Sequence, residues 1–416
     1  MKTKILSLFS VFILLFSVFS FSASADESRI DSSIKAFADN NGKIIGVSSK
    51  GEWDEYPENS VPALIEAAKT GIDFVAIDIK KTLDNILVVF SDDTTERMVG
   101  DKEIFTISET EYSVLEALKL KNSCGGSNEK ATEYKIPTLE EMIAAAKEND
   151  IPLILRCSTE IIPEAVKLLN QLDAMSMCIV MTEGSTKSIK AAVSELSEKP
   201  LLIGEKKGNV VFNIISFVNT LEEMDAVGVQ LNTVNRYGIN YYRSLLSVYS
   251  EKMRVICDTT TPEISGFRED SEHYWNDLIS RGYSVIFTDH AELFTDYKKR
   301  TDEATERLQS LYDKYVTNHS LPDFKDEYLS DIKKAYTDAV AHAEGLLGDK
   351  SSSLQDLNDC YSKLFKAAND VNINFSSLED GSAETTVTLP RILLCAAAVV
   401  IVIIVQIYFF KRRKKA

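Results

Sequence analysis

The stretch FVAIDIKKTLDNILVVFSDDT, residues 74–94, holds two apolar runs separated by the turn residues Asp84 and Asn85. Both runs are short and rich in β-branched or aromatic residues, which is typical of strands in a sheet. Polar residues stand at the end of each run, Asp78 in the first and Ser91 after the second. The stretch therefore predicts two strands with functional candidates near their carboxyl ends.

The same pattern extends over residues 43–287, where apolar runs alternate with amphipathic stretches. This alternation predicts a mostly parallel sheet of β/α units. Nine strands are predicted, at residues 44–48, 74–79, 87–90, 153–156, 178–181, 201–203, 227–231, 255–258 and 285–288. Thr138 with Glu141 predicts a capping box at the start of one intervening helix. Residues 100–135 are expected to form an insertion with one short helix.

Three amphipathic helical stretches follow, at about residues 303–318, 324–347 and 352–369. They predict a small helical bundle over residues 301–373, with Ser352 and Gln355 forming a capping box before the last helix. The bundle is similar to the FIVAR modules of bacterial cell-wall proteins. A polar linker is expected at residues 374–388.

The two ends of the chain predict export and anchoring. Residues 1–25 have a basic start, an apolar run and small residues up to Ala25, the layout of a signal peptide. Residues 389–410 form an apolar run long enough to span a membrane, and the basic residues 411–416 are expected in the cytoplasm. We therefore expect a single-pass cell-membrane protein with an extracellular ectodomain.

The charge of the chain argues against nucleic acid as a partner. The sequence has 63 acidic and 46 basic residues. All the acidic residues and all but eight basic ones lie between the two terminal segments, so the exported part carries a net charge of about −25. Such a surface repels polyanions and suits divalent cations or cationic wall components.

Four ordered motifs identify a resemblance. Residues 57–60 (PENS) open a helix, residues 76–97 continue the two strands already quoted, and residues 137–141 (PTLEE) and 282–289 (GYSVIFTD) follow later. Together they resemble the glycerophosphodiester phosphodiesterase family over about residues 40–300. The resemblance implies a TIM-type (β/α)8 barrel, in which one of the nine predicted strands must lie outside. We expect that strand in the region of residues 201–231.

The resemblance also implies a chemistry, the hydrolysis of a glycerophosphodiester with a divalent metal and two histidines that transfer protons. The positions that match those histidines are Ser49 and Ser91. A serine without a neighbouring base neither takes up nor releases a proton near pH 7. Lys50 replaces the arginine beside the first histidine and keeps the charge without the bidentate geometry, and Arg156 is a second candidate for binding phosphate.

The metal site implied by the resemblance is also altered. Ala76 stands where the family has the first carboxylate of a Glu-x-Asp pair, Ile154 stands where a further glutamate is expected, and Asp78 and Glu140 remain as candidate ligands. The expectation is no cofactor, or a weakly bound Ca²⁺ or Mg²⁺.

Three functional hypotheses follow. The first is a catalytically degenerate barrel that binds a glycerophosphodiester or a wall polymer, or regulates at the cell surface, with protein partners that the sequence does not identify. The second is an active phosphodiester hydrolase with displaced groups, for which Glu52, Asp92, Asp93 and His290 are the candidates. The third is a structural surface protein whose helical module makes the contacts. Glu58 and Asn59 are expected to cap the first helix and brace the loop as readily as to touch a ligand, and Arg97 is expected to form a salt bridge in the loop rather than to clamp a phosphate.

Overall fold

The computed structural model describes residues 28–100, 103–206, 211–231, 243–260, 270–317 and 330–379. It contains a closed barrel of eight parallel strands, because the first strand pairs with both the second and the last. The strands are β1 Ile45–Ser49, β2 Phe74–Lys81, β3 Leu87–Val89, β4 Leu153–Arg156, β5 Cys178–Glu183, β6 Leu201–Lys206, β7 Gly228–Leu231, β8 Arg254–Asp258 and β9 Val285–Thr288. All nine predicted strands are confirmed, and a TIM-type barrel is the fold.

The strand outside the barrel is β3, so its expected position in residues 201–231 was wrong. β3 runs antiparallel to β2, with Ile79 opposite Val89. The intervening turn is closed by a hydrogen bond from Thr82 N to Ile86 O of 3.0 Å, and Asn85 has a φ of 63°. A connection this short cannot carry the crossover that a parallel strand needs, so the chain must return antiparallel.

Helices follow most strands and cover the outside of the barrel. They are α1 Arg29–Ala38, α2 Val61–Thr70, α3 Tyr112–Leu115, α4 Leu139–Glu148, α5 Ile162–Gln171, α6 Thr186–Ser194, α7 Val211–Glu222, α8 Arg243–Ser250, α9 Glu272–Ser280, α10 Ala291–Tyr312, α11 Ser330–Gly348 and α12 Leu354–Glu379. The capping box of Thr138 and Glu141 at the start of α4 is confirmed. Ser60 caps α2 in the same way, through its side-chain oxygen.

The floor of the barrel is closed by α1, a helix that the sequence analysis did not predict. Phe37 of α1 is fully buried and packs edge-on against Phe74 of β2, with ring centroids 5.3 Å apart. The buried Arg254 of β8 donates hydrogen bonds to the carbonyl oxygens of Ala36, Phe37 and Gly42. The helix is therefore fixed by both apolar packing and hydrogen bonds to its last carbonyls.

The insertion between β3 and α4 contains the short helix α3, as predicted, and a single turn at Ile107–Glu109. It has a small apolar core of its own, which includes Phe90, Met98, Leu115 and Ile136. This core holds the loop that follows β3 against the carboxyl-terminal edge of the barrel.

The C-terminal helices confirm the predicted helical region, but its start differs from the expected one. The boundary expected between residues 300 and 301 falls inside α10, which is continuous from Ala291 to Tyr312. The apolar core around the barrel also includes residues of the bundle such as Leu308 and Leu357. Asn276 of α9 accepts a hydrogen bond from the backbone of Gln355, which ties α12 to the barrel.

Two smaller expectations for this region were wrong. Ser353, not Ser352, caps α12, because its Oγ accepts the hydrogen bond from Asp356 N while Ser352 Oγ bonds Leu346 O and Asp349 O. The expected linker at residues 374–388 begins as helix, since α12 continues to Glu379.

The signal peptide at residues 1–25, the apolar run at 389–410 and the basic tail at 411–416 lie outside the described residues. Within the residues that the structure does describe, no helix combines the length and apolarity needed to cross a membrane.

Candidate functional site

The inside of the barrel changes from apolar to polar at the carboxyl ends of its strands. Ile45, Val47, Ala76, Ile154, Met181, Ile203, Ile256 and Phe287 belong to one buried cluster inside the barrel. Side chains on a strand alternate between its two faces, so residues two further along point the same way. The next inward positions are Ser49, Asp78, Arg156, Glu183, Glu205, Gln230, Asp258 and Asp289. We call this polar layer, with Lys50, the mouth of the barrel.

The mouth opens into a cleft of about 410 Å³. Its walls carry three cationic side chains, Lys50, Lys80 and Arg156, together with four carboxylates at Asp78, Glu183, Glu205 and Asp258. The cleft is therefore mixed in charge rather than uniformly basic. Its position at the carboxyl ends of the strands is where TIM barrels hold their ligands.

The loop after β1 brings Lys50 and Asn59 to the mouth in backbone conformations that most side chains avoid. Their φ angles are 67° and 57°. The adjacent Gly51 has a φ of 87°, and a Cβ there would lie 2.6 Å from the backbone of Ala63. Only glycine fits this approach, so the loop packs directly on the start of α2.

Asn59 and Ser91 join two acidic side chains. Asn59 Nδ2 donates to Asp78 Oδ2 at 2.9 Å and to Ser91 Oγ at 2.8 Å. Ser91 Oγ lies 2.7 Å from Asp78 Oδ2 and 2.9 Å from Glu58 Oε1. A hydroxyl has one hydrogen, so Ser91 donates to one carboxylate at a time. Ser91 is thus engaged in holding Asp78 and Glu58.

Arg156 lies across the mouth between two carboxylates. Its Nε is 2.8 Å from Asp78 Oδ1, and its NH1 is 3.6 Å from Asp258 Oδ2. Its NH2 donates to Ser49 Oγ at 3.2 Å. The register of the sheet explains the pairing, because Asp78 of β2 is directly opposite Arg156 of β4. Ser49, which the resemblance predicted at a histidine position, is fully buried and accepts the hydrogen bond from this arginine.

The charges fix Asp78 in its ionised form. Burial alone would raise the pKa of its carboxyl, but Arg156, Lys50 and the hydrogen bonds from Asn59 and Ser91 lower it to about 2. Lys50 lowers the pKa of Asp78 through its charge, and its Nζ also forms an ion pair with Glu58 Oε2 at 3.1 Å. Asp78 therefore carries a permanent negative charge at neutral pH and does not transfer protons there.

The structure separates the two residues that remained as candidate metal ligands. Glu140 is exposed in the first turn of α4, and no hydrogen bond or ion pair joins it to Asp78 among the described residues. Ala76 and Ile154 pair with each other one layer below the mouth, both fully buried. In the described part of the chain, no group of three or more His, Cys, Asp or Glu side chains is arranged to hold a metal ion.

Three of the four displaced candidates are engaged elsewhere. Asp92 forms an ion pair with Arg97, whose NH2 also donates to Glu58 at 2.6 Å. Asp93 is exposed and pairs with Lys80. Glu52 accepts a hydrogen bond from the backbone of Ala291, and burial raises the pKa of its carboxyl. Arg97 braces the loop, as expected.

The fourth candidate, His290, occupies the position before the first residue of α10 without a capping hydrogen bond from its side chain, and its backbone N–H donates to Thr288 Oγ1. The residue before it, Asp289, is a mouth residue that the sequence analysis missed. Trp53 Nε1 donates to Asp289 Oδ1 at 3.2 Å. Burial, then the charge of Asp270, raises the pKa of Asp289 to about 7. Its place two residues after the inward Phe287 was the available signal.

The fold and the mouth together define a TIM-barrel protein with a polar cleft of mixed charge at the carboxyl ends of its strands. The model of the glycerophosphoryl diester phosphodiesterase family matches residues 50–293, and the chain belongs to this family.

Individual relatives are distant. A crystal structure of a glycerophosphoryl diester phosphodiesterase from Parabacteroides distasonis superimposes with a TM-score of 0.50 at 19% identity, over 64% of this chain and 90% of that one. The uncharacterised protein YqiK of Bacillus subtilis is 25% identical over 133 residues, 30% of this chain. The chain matches 53% of the length of that curated relative.

Proposed function

We propose that this chain is a non-hydrolysing member of its family that uses the mouth of the barrel for binding or regulation. The observation that carries the proposal is the occupation of the mouth by Ser49, Ser91 and Arg156. Ser91 and Arg156 contact Asp78, and Ser49 accepts a hydrogen bond from Arg156. None of these side chains takes up and releases a proton near pH 7, because a serine needs a neighbouring base and an arginine stays charged. A general acid and a general base are both required for hydrolysis at phosphorus.

The proposed ligand is a glycerophosphodiester or a wall polymer held in the cleft of about 410 Å³. Lys50 and Lys80 supply positive charge on one wall for a phosphate group. The proposed setting is the outer face of the cell membrane, on the argument from residues 1–25 and 389–416 of the sequence. Protease added to intact cells should then remove most of the chain and leave the basic tail protected.

The experiment is a hydrolysis assay with the purified full chain. Glycerophosphocholine and glycerophosphoglycerol, each with Ca²⁺ or Mg²⁺, should be turned over at background rates, since each missing acid or base contributes about 10² to 10⁴ in rate. Binding of the same compounds is measured in parallel by calorimetry. Metal-dependent hydrolysis that Asp78→Asn abolishes would contradict the proposal.

Restoring the family's residues tests whether their replacement is the reason that hydrolysis is absent. The structure adds Arg156 to the set of changes, because its guanidinium lies against Asp78. The combined variant Ser49→His, Ala76→Glu, Ser91→His and Arg156→Glu should gain hydrolysis, whereas each single change should gain little, since such groups act as a unit. If Ser91→His alone gained hydrolysis, the residues already present at the other three positions would be sufficient for it.

A hydrolase with a displaced group is the second candidate, and Asp289 is the observation that favours it. Its carboxyl stands in the mouth with a pKa of about 7, near Lys50 and Asp258. A group with that pKa suits general acid or base work. If the full chain does hydrolyse a phosphodiester, Asp289→Asn should reduce the rate at least about 10²-fold while Asp93→Asn leaves it unchanged.

The third hypothesis, a structural surface protein, remains a proposal about the helical region. It predicts that a variant with a disrupted mouth keeps its cell-surface contacts, while changes on the exposed side of α12 remove them.

A further inference from the structure

The contact between Arg156 and the two carboxylates on either side of it has a consequence beyond the loss of hydrolysis. Arg156 comes from β4, Asp78 from the neighbouring β2, and Asp258 from β8 across the mouth. Only 15% of the Arg156 side chain and 2% of the Asp258 side chain are exposed. Phe287 lies below, with its ring centroid 5.9 Å from the guanidinium carbon. The guanidinium therefore occupies the middle of the mouth.

The residues present do not fit the divalent metal that the family implies. Ala76 offers no carboxylate, and Glu140 is exposed on α4. A cation that approached Asp78 would meet the Nε of Arg156 at 2.8 Å from the same carboxylate, with a positive charge that cannot be removed near neutral pH. Asp258 is also already hydrogen-bonded, since Thr260 N and Oγ1 both donate to its Oδ1 at 2.8 and 2.7 Å.

We propose that Arg156 is a built-in cation that replaces the divalent metal at the mouth of the barrel, and that the mouth is assembled without any metal ion. The side chain neutralises Asp78 and Asp258 as an ion between them would, and donates to Ser49 from the same position. A metal ion has open coordination positions for a ligand, whereas this guanidinium lies in ion pairs with Asp78 and Asp258 and its NH2 donates to Ser49 Oγ and Asp78 Oδ2. The exchange thus converts a site that depends on a cofactor into one that is fixed by the chain.

The proposal rests on the ion pairs at Arg156 and not on whether the protein hydrolyses anything. Its test therefore uses thermal unfolding and metal binding. The full chain is stripped of metal, and its unfolding midpoint is measured in EDTA and in about 1 mM CaCl₂ or MgCl₂. The wild-type midpoint should not change by more than about 1 °C.

The informative variant is Arg156→Glu, which places a third carboxylate between Asp78 and Asp258. Its midpoint should be low in EDTA and rise by about 3 °C or more with Ca²⁺, because the repulsion among three carboxylates is relieved by a bound ion. Arg156→Gln should be destabilised with no recovery. Arg281→Glu is the matched control, since Arg281 forms a half-exposed ion pair with Asp277 at the carboxyl end of α9.

Three results would overturn the proposal. The first is a wild-type midpoint that rises with Ca²⁺ or Mg²⁺ as much as that of Arg156→Glu. The second is a response of Arg156→Glu no larger than that of Arg281→Glu. The third is calorimetric binding of Ca²⁺ or Mg²⁺ by the wild-type chain that Asp78→Asn removes, a measurement that decides the question even if Arg156→Glu does not fold. Absence of that binding, with recovery of Arg156→Glu by Ca²⁺, supports it.

Discussion

The two ends of the barrel each contain one inward-facing arginine, and the two arginines have different partners. Arg254 at the floor is fully buried and donates only to backbone carbonyl oxygens, at 2.7 Å to Ala36 and 3.1 Å to Gly42. Arg156 at the mouth is partly exposed and lies between the carboxylates of Asp78 and Asp258. The floor arginine fastens a helix, while the mouth arginine balances charge.

The pKa values of the two arginines shift in opposite directions. Burial lowers the pKa of Arg254 to about 10, and the nearby Asp39 and Asp73 only partly offset it. At the mouth the carboxylates outweigh burial and raise the pKa of Arg156 above its usual value. The floor thus holds a poorly compensated charge that makes three hydrogen bonds to the end of α1 and the loop after it. The mouth holds a compensated charge where a ligand or ion would otherwise stand.

The largest loss of stability is expected from replacing Arg254 at the floor of the barrel. Arg254→Met should lower the free energy of unfolding by about 3 kcal/mol, because the carbonyl oxygens of Ala36, Phe37 and Gly42 each lose a donor and the bonds to Phe37 and Gly42 are buried. Urea unfolding followed by tryptophan fluorescence measures this loss. Arg281→Met, which removes the half-exposed ion pair with Asp277, is the control and should lower the stability by no more than about 1 kcal/mol. A loss at Arg254 no larger than that of the control would show that the hydrogen bonds from Arg254 do not fasten α1.

The equivalent change at the mouth should cost less. Arg156→Met is expected to lower the free energy of unfolding by about 2 kcal/mol, because Asp78 loses its ion pair but the cleft admits water to solvate the carboxylate. The same urea titration gives the value. If Arg156→Met proves more damaging than Arg254→Met, the mouth is drier than its cleft suggests.

The sequence predicted the barrel better than it predicted the two ends. Strand periodicity located all nine strands, since an apolar β-branched run is visible without knowledge of its neighbours. It did not show that β3 leaves the barrel, although the short turn at residues 82–86 permits no parallel crossover. It missed α1 as well, because a single short amphipathic helix has no signal that it plugs a barrel.

The sequence indicated several residues at the strand ends, but it did not indicate their contacts. Ser49, Asp78, Ser91 and Arg156 meet at the mouth, as the strand-end positions indicated. Glu140 does not join them, because α4 begins one residue earlier and carries it outward. That Arg156 contacts Asp78 depends on the register of β2 against β4, and register is a property of the assembled sheet.

A smaller effect on stability is expected from Asp289 at the mouth, and this effect depends on pH. The pKa of Asp289 is about 7 in the folded chain, against about 4 when unfolded, so the folded state binds the extra proton between these values. Stability from this group is therefore present at low pH and lost as the pH rises from about 4 to about 7. Asp289→Asn should remove this loss and gain about 1 kcal/mol relative to wild type at pH 8, since water at the mouth reduces the full effect.

Urea unfolding of both proteins at pH 5 and pH 8 gives the difference. Asp296→Asn is a suitable control, because Asp296 is an exposed residue of α10 that pairs with Arg300 away from the mouth. If Asp289→Asn and wild type have parallel stability curves over this range, the Asp289 carboxyl is ionised in the folded chain throughout.

The smallest expected effect tests whether the mouth is one network. Ser91→Ala should lower the free energy of unfolding by about 0.5 to 1 kcal/mol, because Asp78 and Glu58 lose a hydroxyl that water in the cleft partly replaces. Combined with Arg156→Met, the loss should differ from the sum of the single losses by at least about 0.5 kcal/mol, since both side chains act on Asp78. Combined with Arg254→Met, the losses should simply add, because the floor shares no partner with Ser91. Strict additivity in both pairs would mean that Arg156 and Ser91 hold Asp78 independently, and coupling between Ser91 and Arg254 would mean that the two ends of the barrel are not separate regions.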